Sequence, residues 1–159
     1  MRRKDREITQ TDDIFSVIER CSTVRIAMAE GNMPYVVALN FGFDRQEDTL
    51  ILYLHSAAQG RKIDILKKNP NVYFQMDCSQ GPTPGIPGNP CSCSWKFDSV
   101  MGSGQAVFLT EPAQKEYALN RILQCAGNAE ETFAFPEKML ENTCVWQIVS
   151  EDFTGKRHE

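Results

Sequence analysis

The chain has 159 residues, 42% of them hydrophobic and 24% charged, enough apolar material for one compact domain spanning residues 1–159. Its net charge of −4 argues against a broad basic footprint, so nucleic acid is not an expected partner. The start, MRRKDREITQTDD, carries charge where the apolar core of a leader would follow, and no apolar run nears the ~20 residues a membrane helix needs. We therefore expect a cytoplasmic protein without a membrane partner.

Thr11-Asp12-Asp13 precedes Ile14, Phe15, Val17 and Ile18, a pattern that predicts an N-capped amphipathic helix ending near Cys21. Residues 23–29 read as a strand, Glu30-Gly31-Asn32 as a turn, and 35–43 as the returning strand of a hairpin. A polar turn at 44–48 leads into a third strand at 49–55, completing an antiparallel meander. From Ala57 the apolar period lengthens, with Ile63, Leu66 and the stem of Lys67 on one face, until Asn69-Pro70 stops the helix.

A fourth strand is expected at 71–77, followed by a proline- and glycine-rich loop over 78–93. Residues 94–109 read as a long strand interrupted at Gly102-Ser103-Gly104, where glycine marks a bulge or a close backbone approach. Glu111-Pro112 opens another helix with Tyr117, Ala118, Ile122 and Leu123 inward, and 144–149 supplies a last strand before a polar tail. Five to six strands and three helices suggest a small antiparallel barrel with peripheral helices, a pattern that other α+β domains share.

The six cysteines are irregularly spaced and read as thiols. Cys78, Cys91 and Cys93 supply three sulfurs, but a tetrahedral zinc site wants a fourth ligand and neither histidine is near in sequence, so no metal is assigned. Cys91 and Cys93 lack both the CxxC spacing and an adjacent base that would mark a redox pair.

The chemistry gathers in LYLHSAAQGRK, between a strand and a helix. Ser56 offers a hydroxyl, Ala57 and Ala58 allow close backbone approach, and Gly60-Arg61-Lys62 opens the helix with two cations. Arg61 can grip two phosphate oxygens while Lys62 adds a mobile point charge. The residues alone also admit a solvated basic helix start whose charges serve solubility; basic residues there work against the helix dipole, which tilts the balance slightly toward a bound anion. His55 ends the strand and could donate a hydrogen bond or proton near neutral pH. Trp95 could stack on a flat ring, while Phe97 reads as core.

PYVVALNFGF followed by LILYLHSAAQGRKIDILKKNPNVYFQMD resembles the FMN-binding split-barrel family related to pyridoxamine 5′-phosphate oxidase, and within it the nitroimidazole-resistance (Nim-type) proteins. FDSVMGSGQAVFL resembles that group's strand with a glycine pair, and FTGKRHE its C-terminal tail. The resemblance implies a mainly β, six-stranded antiparallel split barrel with peripheral helices, forming a homodimer with flavin mononucleotide (FMN) at the subunit interface. It implies that the backbone of Val36, Val37, Ala38, Leu39 and Asn40 lines the flavin ring, and that His55, Ser56 and Ala57 approach the ribityl chain and ring edge. Arg61 and Lys62 would hold the phosphate, and Trp95, Ser99, Val100 and Met101 would reach the flavin from the partner. The loop GPTPGIPGNPCSCSW departs from the family pattern and leaves open whether it borders the active-site mouth or is a surface excursion.

The implied activity is an FMN-dependent oxidoreductase, with His55 as the catalytic candidate. It would take electrons from a nicotinamide donor and reduce a small electron-poor, nitroaromatic-like substrate. A pyridoxamine 5′-phosphate oxidase proper would need a second phosphate clamp, for which only Lys156-Arg157-His158 is available. The alternative is a non-catalytic flavin, haem or deazaflavin module that binds or senses, with His55 as the candidate axial ligand for haem.

Overall fold

The computed structural model describes residues 2–127 and 131–158; Met1 and Glu159, the two ends of the sequence segments quoted above, lie outside the described residues. After a single 3-10 turn, Lys4–Arg6, come β1 (Glu7–Ile8), α1 (Thr11–Arg20), β2 (Val24–Glu30), β3 (Met33–Leu39), β4 (Gly42–Gln46) and β5 (Thr49–Ala57). Then follow α2 (Arg61–Lys68), β6 (Asn71–Thr83), a 3-10 turn at Pro90–Ser92, β7 (Ser94–Leu109), α3 (Pro112–Cys125), α4 (Glu137–Asn142) and β8 (Thr143–His158).

The strands form one antiparallel sheet in the order β3-β2-β6-β7-β8-β5-β4, with β1 added on β8. Its two end strands, β3 and β4, are consecutive in the chain and joined only through Asn40 and Phe41. Three residue steps span at most about 11 Å, so the ends of the sheet must lie close and the sheet curls into a split barrel. The inward positions of successive strands fill it: Ile26, Leu52, Leu54, Phe74, Met76, Val100, Trp146 and Ile148 are all buried. α1 covers one side with Ile14, Phe15, Val17 and Ile18, while α3 and α4 pack Ala118, Leu119, Ile122 and Leu140 against Ile51, Tyr53 and Val145.

Among the described residues eight strands stand where six were expected, and the differences have local causes. The strand read over 35–43 is two strands on opposite edges, so the meander does not form. Gly42 is the reason: a Cβ there would lie 2.5 Å from Arg121 C and Ile122 N, so only glycine lets β4 start against α3. The polar turn shrinks to Glu47-Asp48, with Glu47 at φ +55°, because Asp44 to Gln46 pair with β5. β6 runs through Gly81 and Pro82 by way of a register shift between Ser79 and Gly81, so the loop begins only after Thr83.

The polar tail is instead the second half of β8, paired with β7 and β1, and the register shift between Ser103 and Gln105 is the bend foreseen at the glycine pair. Thr11 to Asp13 form the first helical turn with no side-chain cap bond, so Asp12 and Asp13 act there through the helix dipole. Tyr117, expected inward, is exposed, and Leu119 and Asn120 take the buried positions with Ala118 and Ile122.

Candidate functional site

β5 ends at Ala57 and the chain bends over Ala58-Gln59-Gly60 before α2 begins at Arg61. Gly60 has φ +134° and ψ 164°, a region that only glycine occupies without strain. The helical ladder starts with Ile63 N and Asp64 N donating to Gly60 O at 2.9 and 3.1 Å, so the amides of Arg61 and Lys62 precede it. Ile63, Ile65 and Leu66 anchor the helix in the core, which leaves Arg61 at the surface.

The Arg61 guanidinium donates through Nε and Nη2 to Glu30 Oε2 at 3.3 and 3.2 Å, and lies 4.7 Å over the Tyr35 ring. Both residues belong to the β2–β3 hairpin, and Asn69, just past the far end of α2, donates to Ala29 O at 3.4 Å. Both ends of the helix are thereby fastened to that hairpin. This sets an exposed cation, Arg61, beside the edge strand β3.

His55 is exposed at the end of β5, opposite Val145; desolvation and then the charge of Lys62 hold its pKa below the ordinary histidine value. The imidazole is therefore neutral at pH 7 and carries one N–H donor and one acceptor. Ser56, opposite Cys144, donates to Ala57 O at 3.0 Å. Burial raises the Cys144 thiol pKa, so it stays protonated.

On β3, Tyr35, Val37 and Leu39 pack toward the core, while Val36 and Ala38, and Asn40 just past the strand, are exposed. Only backbone can be offered outward by Val37 and Leu39. As an end strand, β3 pairs with β2 on one side alone, so its other edge presents main-chain groups. Asn40 donates to Ser22 O at 3.3 Å, which holds the end of the strand against the exit of α1.

By strand alternation Ser99 and Met101 fall on the same side of the sheet as Val36 and Ala38, but Ser99 is buried and Met101 half-buried there, while Val100 points into the core. The register Ala38–Arg25–Gln75–Met101 crosses three strand gaps, about 14 Å, so within one chain the two sets stand apart on one surface. Trp95 is exposed there, its Nε1 donating to Ser79 Oγ. Phe97, expected in the core, is half-buried on the same face against the His158 ring and Lys156 Nζ.

Two polar hubs escaped the sequence reading. Asp98 has a side chain 1% exposed and accepts from Arg20 Nη2 at 2.6 Å, Arg157 Nε at 2.7 Å and Gln80 Nε2 at 2.9 Å. Burial alone would raise its pKa, but the two guanidinium hydrogen bonds outweigh that and hold it below the usual value. A signal was present, since strand alternation puts Asp98 on the inward register of Val100. Asp44 likewise accepts from Tyr53 OH at 2.9 Å and Tyr117 OH at 2.7 Å and pairs with Arg121 at 2.7 Å, joining β4, β5 and α3.

Comparison with known proteins places this arrangement. A candidate 5-nitroimidazole antibiotic resistance protein from Bacteroides thetaiotaomicron is 30% identical and superposes with a TM-score of 0.77, over 95% of this chain and 86% of that one. The flavocytochrome Anf3 from Azotobacter vinelandii shares the fold at 18% identity and a TM-score of 0.80, over 100% of this chain and 72% of that one. The FAD and heme binding protein from Mycobacterium smegmatis does so at 15% and 0.74, over 97% and 74%. Curated protein sequences give no match. The family pattern described as pyridoxamine 5′-phosphate oxidase matches residues 10–157, from just before α1 to the penultimate residue of β8, taking in the whole curled sheet except β1. The chain thus belongs to the pyridoxamine 5′-phosphate oxidase family.

Proposed function

We propose that this protein is a cytoplasmic flavin-dependent oxidoreductase acting as a homodimer, each site holding one FMN. The observation that carries the reading is the start of α2, where a glycine-only turn and two leading amides precede the helix, Arg61 stands exposed beside the open edge of β3, and Lys62 is half-buried toward His55. The donor set suits a phosphate: Arg61 is already engaged by an anion, Glu30, and a dianionic phosphate is the stronger partner for the same fork.

In this reading Arg61 and Lys62 bind the phosphate, and Ser56 and Ala57 follow the ribityl chain. The backbone from Val36 to Leu39 of β3, with Asn40 just past it, lies along the ring and gives hydrogen bonds to its polar edge. Trp95, Ser99 and Met101 come from the partner; this gives the exposed Trp95 a role on a face far from β3 of its own chain, with half-buried Met101 and buried Ser99 behind it. Val100 contributes backbone only. The flavin would supply the electron transfer when bound. The neutral His55 imidazole holds one proton at the ring edge or substrate and can donate a hydrogen bond there. The likeness to the Bacteroides protein, described by resistance to 5-nitroimidazole antibiotics, supports a small nitroaromatic-like acceptor, and we take the electron donor to be a reduced nicotinamide.

The test is anaerobic: flavin-loaded protein is mixed with reduced nicotinamide and then with a nitroaromatic. Bleaching of the flavin followed by its recovery supports turnover. Absence of bleaching with every donor supports the second reading, a binding or sensing module. The exposed, neutral His55 gives that second reading its own support, since it is a competent axial ligand and two fold relatives are described as a flavocytochrome and a heme binding protein. A haem spectrum in the purified protein would decide for it.

A further inference from the structure

We propose that Cys21 and Cys78 form a redox-sensitive staple, a dithiol that a hydroperoxide converts to a disulfide fastening α1 to the barrel. Their sulfurs lie 3.1 Å apart although the residues are 57 positions apart in sequence. Cys21 follows the last residue of α1, and Cys78 sits in β6 opposite the buried Asp98, with its Sγ also 3.7 Å from Val17 O of α1. A disulfide requires about 2.05 Å between sulfurs, so closure needs the two to approach by about 1 Å, within reach of side-chain torsions.

The surroundings keep the helix and strand in register while this happens. Arg20, beside Cys21, and Arg157 hold Asp98 directly across from Cys78, so both backbones are fixed at the point of closure. Access exists as well. Cys21 lines a surface concavity of about 300 Å³ with Ile18, Phe41, Phe43 and Arg121, and Cys78 is only partly buried. Burial and the neighbouring Cys78 raise the Cys21 thiol pKa, which keeps Cys21 protonated and suits it to the resolving position, with the partly buried Cys78 as the attacking sulfur.

The step balances as two electrons. The Cys78 thiolate attacks one oxygen of the hydroperoxide, the O–O bond breaks, and an alcohol (water, for hydrogen peroxide) leaves with the thiol proton. Cys21 sulfur then attacks the Cys78 sulfenic sulfur, expelling hydroxide that takes the Cys21 proton and departs as water.

The full chain is treated with hydrogen peroxide, its remaining thiols are alkylated, and it is digested without reductant. A peptide joining Cys21 to Cys78, about 2 Da lighter than the sum of its two thiol halves, is expected. Closing a loop of this length raises the thermal midpoint by on the order of 10 °C, reversed by dithiothreitol. C21S and C78S each lose the link and the shift, while C125S, which removes the other thiol of the same concavity, retains both. Absence of the 21–78 peptide from oxidised wild type, a link to Cys125 in its place, or a midpoint rise that persists in C78S overturns the proposal. The peptide map needs no variant, so a failure of C21S to fold does not blunt it.

Discussion

Replacing Asp98 by asparagine keeps the shape of the side chain and removes the charge that two arginines share. The carboxylate is 1% exposed and takes both guanidiniums at 2.6 and 2.7 Å, so D98N sets an amide N–H₂ against one of them. Removing one partner of a buried ion pair costs about 3–5 kcal/mol. Here the surviving Arg20 and Arg157 side chains are 46% and 36% exposed and partly rehydrate, which places D98N near the lower end, about 3 kcal/mol. For a chain of this length that is a drop in thermal midpoint of about 6–12 °C.

The pH dependence supplies a second arm. A carboxylate whose folded pKa lies below its unfolded value of about 3.9 stabilises fully above that value and loses its contribution as the pH falls through the folded pKa. Urea unfolding at pH 7 and at pH 3 should therefore show the gap between wild type and D98N closing in acid. A variant within about 0.5 kcal/mol of wild type at neutral pH, or a gap unchanged down to pH 3, would refute the reasoning.

Three other perturbations follow from the geometry. G42A drives a Cβ into the α3 backbone at 2.5 Å and should cost about 1–3 kcal/mol in urea unfolding, with no relief from side-chain adjustment. G60A has space for its methyl group but not the backbone angle, so about 1–3 kcal/mol of strain is expected, accompanied by weaker FMN binding. The His55 imidazole should titrate by NMR below the ordinary value of about 6.5, and K62M should move its midpoint upward. Because the folded pKa is the lower one, neutral His55 stabilises above that ordinary value and its contribution fades as the pH falls toward the folded pKa, less so in K62M.

Local chemistry made much of the fold readable. Asn69-Pro70 and Glu111-Pro112 marked the end of one helix and the start of another, and Ser94 to Leu109 alternated clearly enough to give β7 both bounds. What failed depended on distant partners. The break at Asn40-Phe41 exists because Gly42 abuts Arg121 and Ile122, some eighty positions later. Residues 150–158 look polar because β8 buries little there, being held by backbone pairing to β7 and β1. The basic turn at Gly60-Arg61 was legible because its glycine, its cations and its helix are contiguous. Its anchors, Glu30 and Tyr35, were not, since the hairpin that carries them meets α2 only in three dimensions.

The central claim is that the start of α2 binds the phosphate of a flavin, and it is tested most directly by titrating FMN and riboflavin, which lacks the phosphate, against wild type and R61A. A guanidinium–phosphate contact contributes about 1.5–3 kcal/mol, so wild type should prefer FMN over riboflavin by roughly 10- to 100-fold, and R61A should lose most of that preference while leaving riboflavin binding unchanged. Equal affinity of wild type for the two flavins, or undiminished FMN binding by an R61A and K62A double variant, would contradict the account.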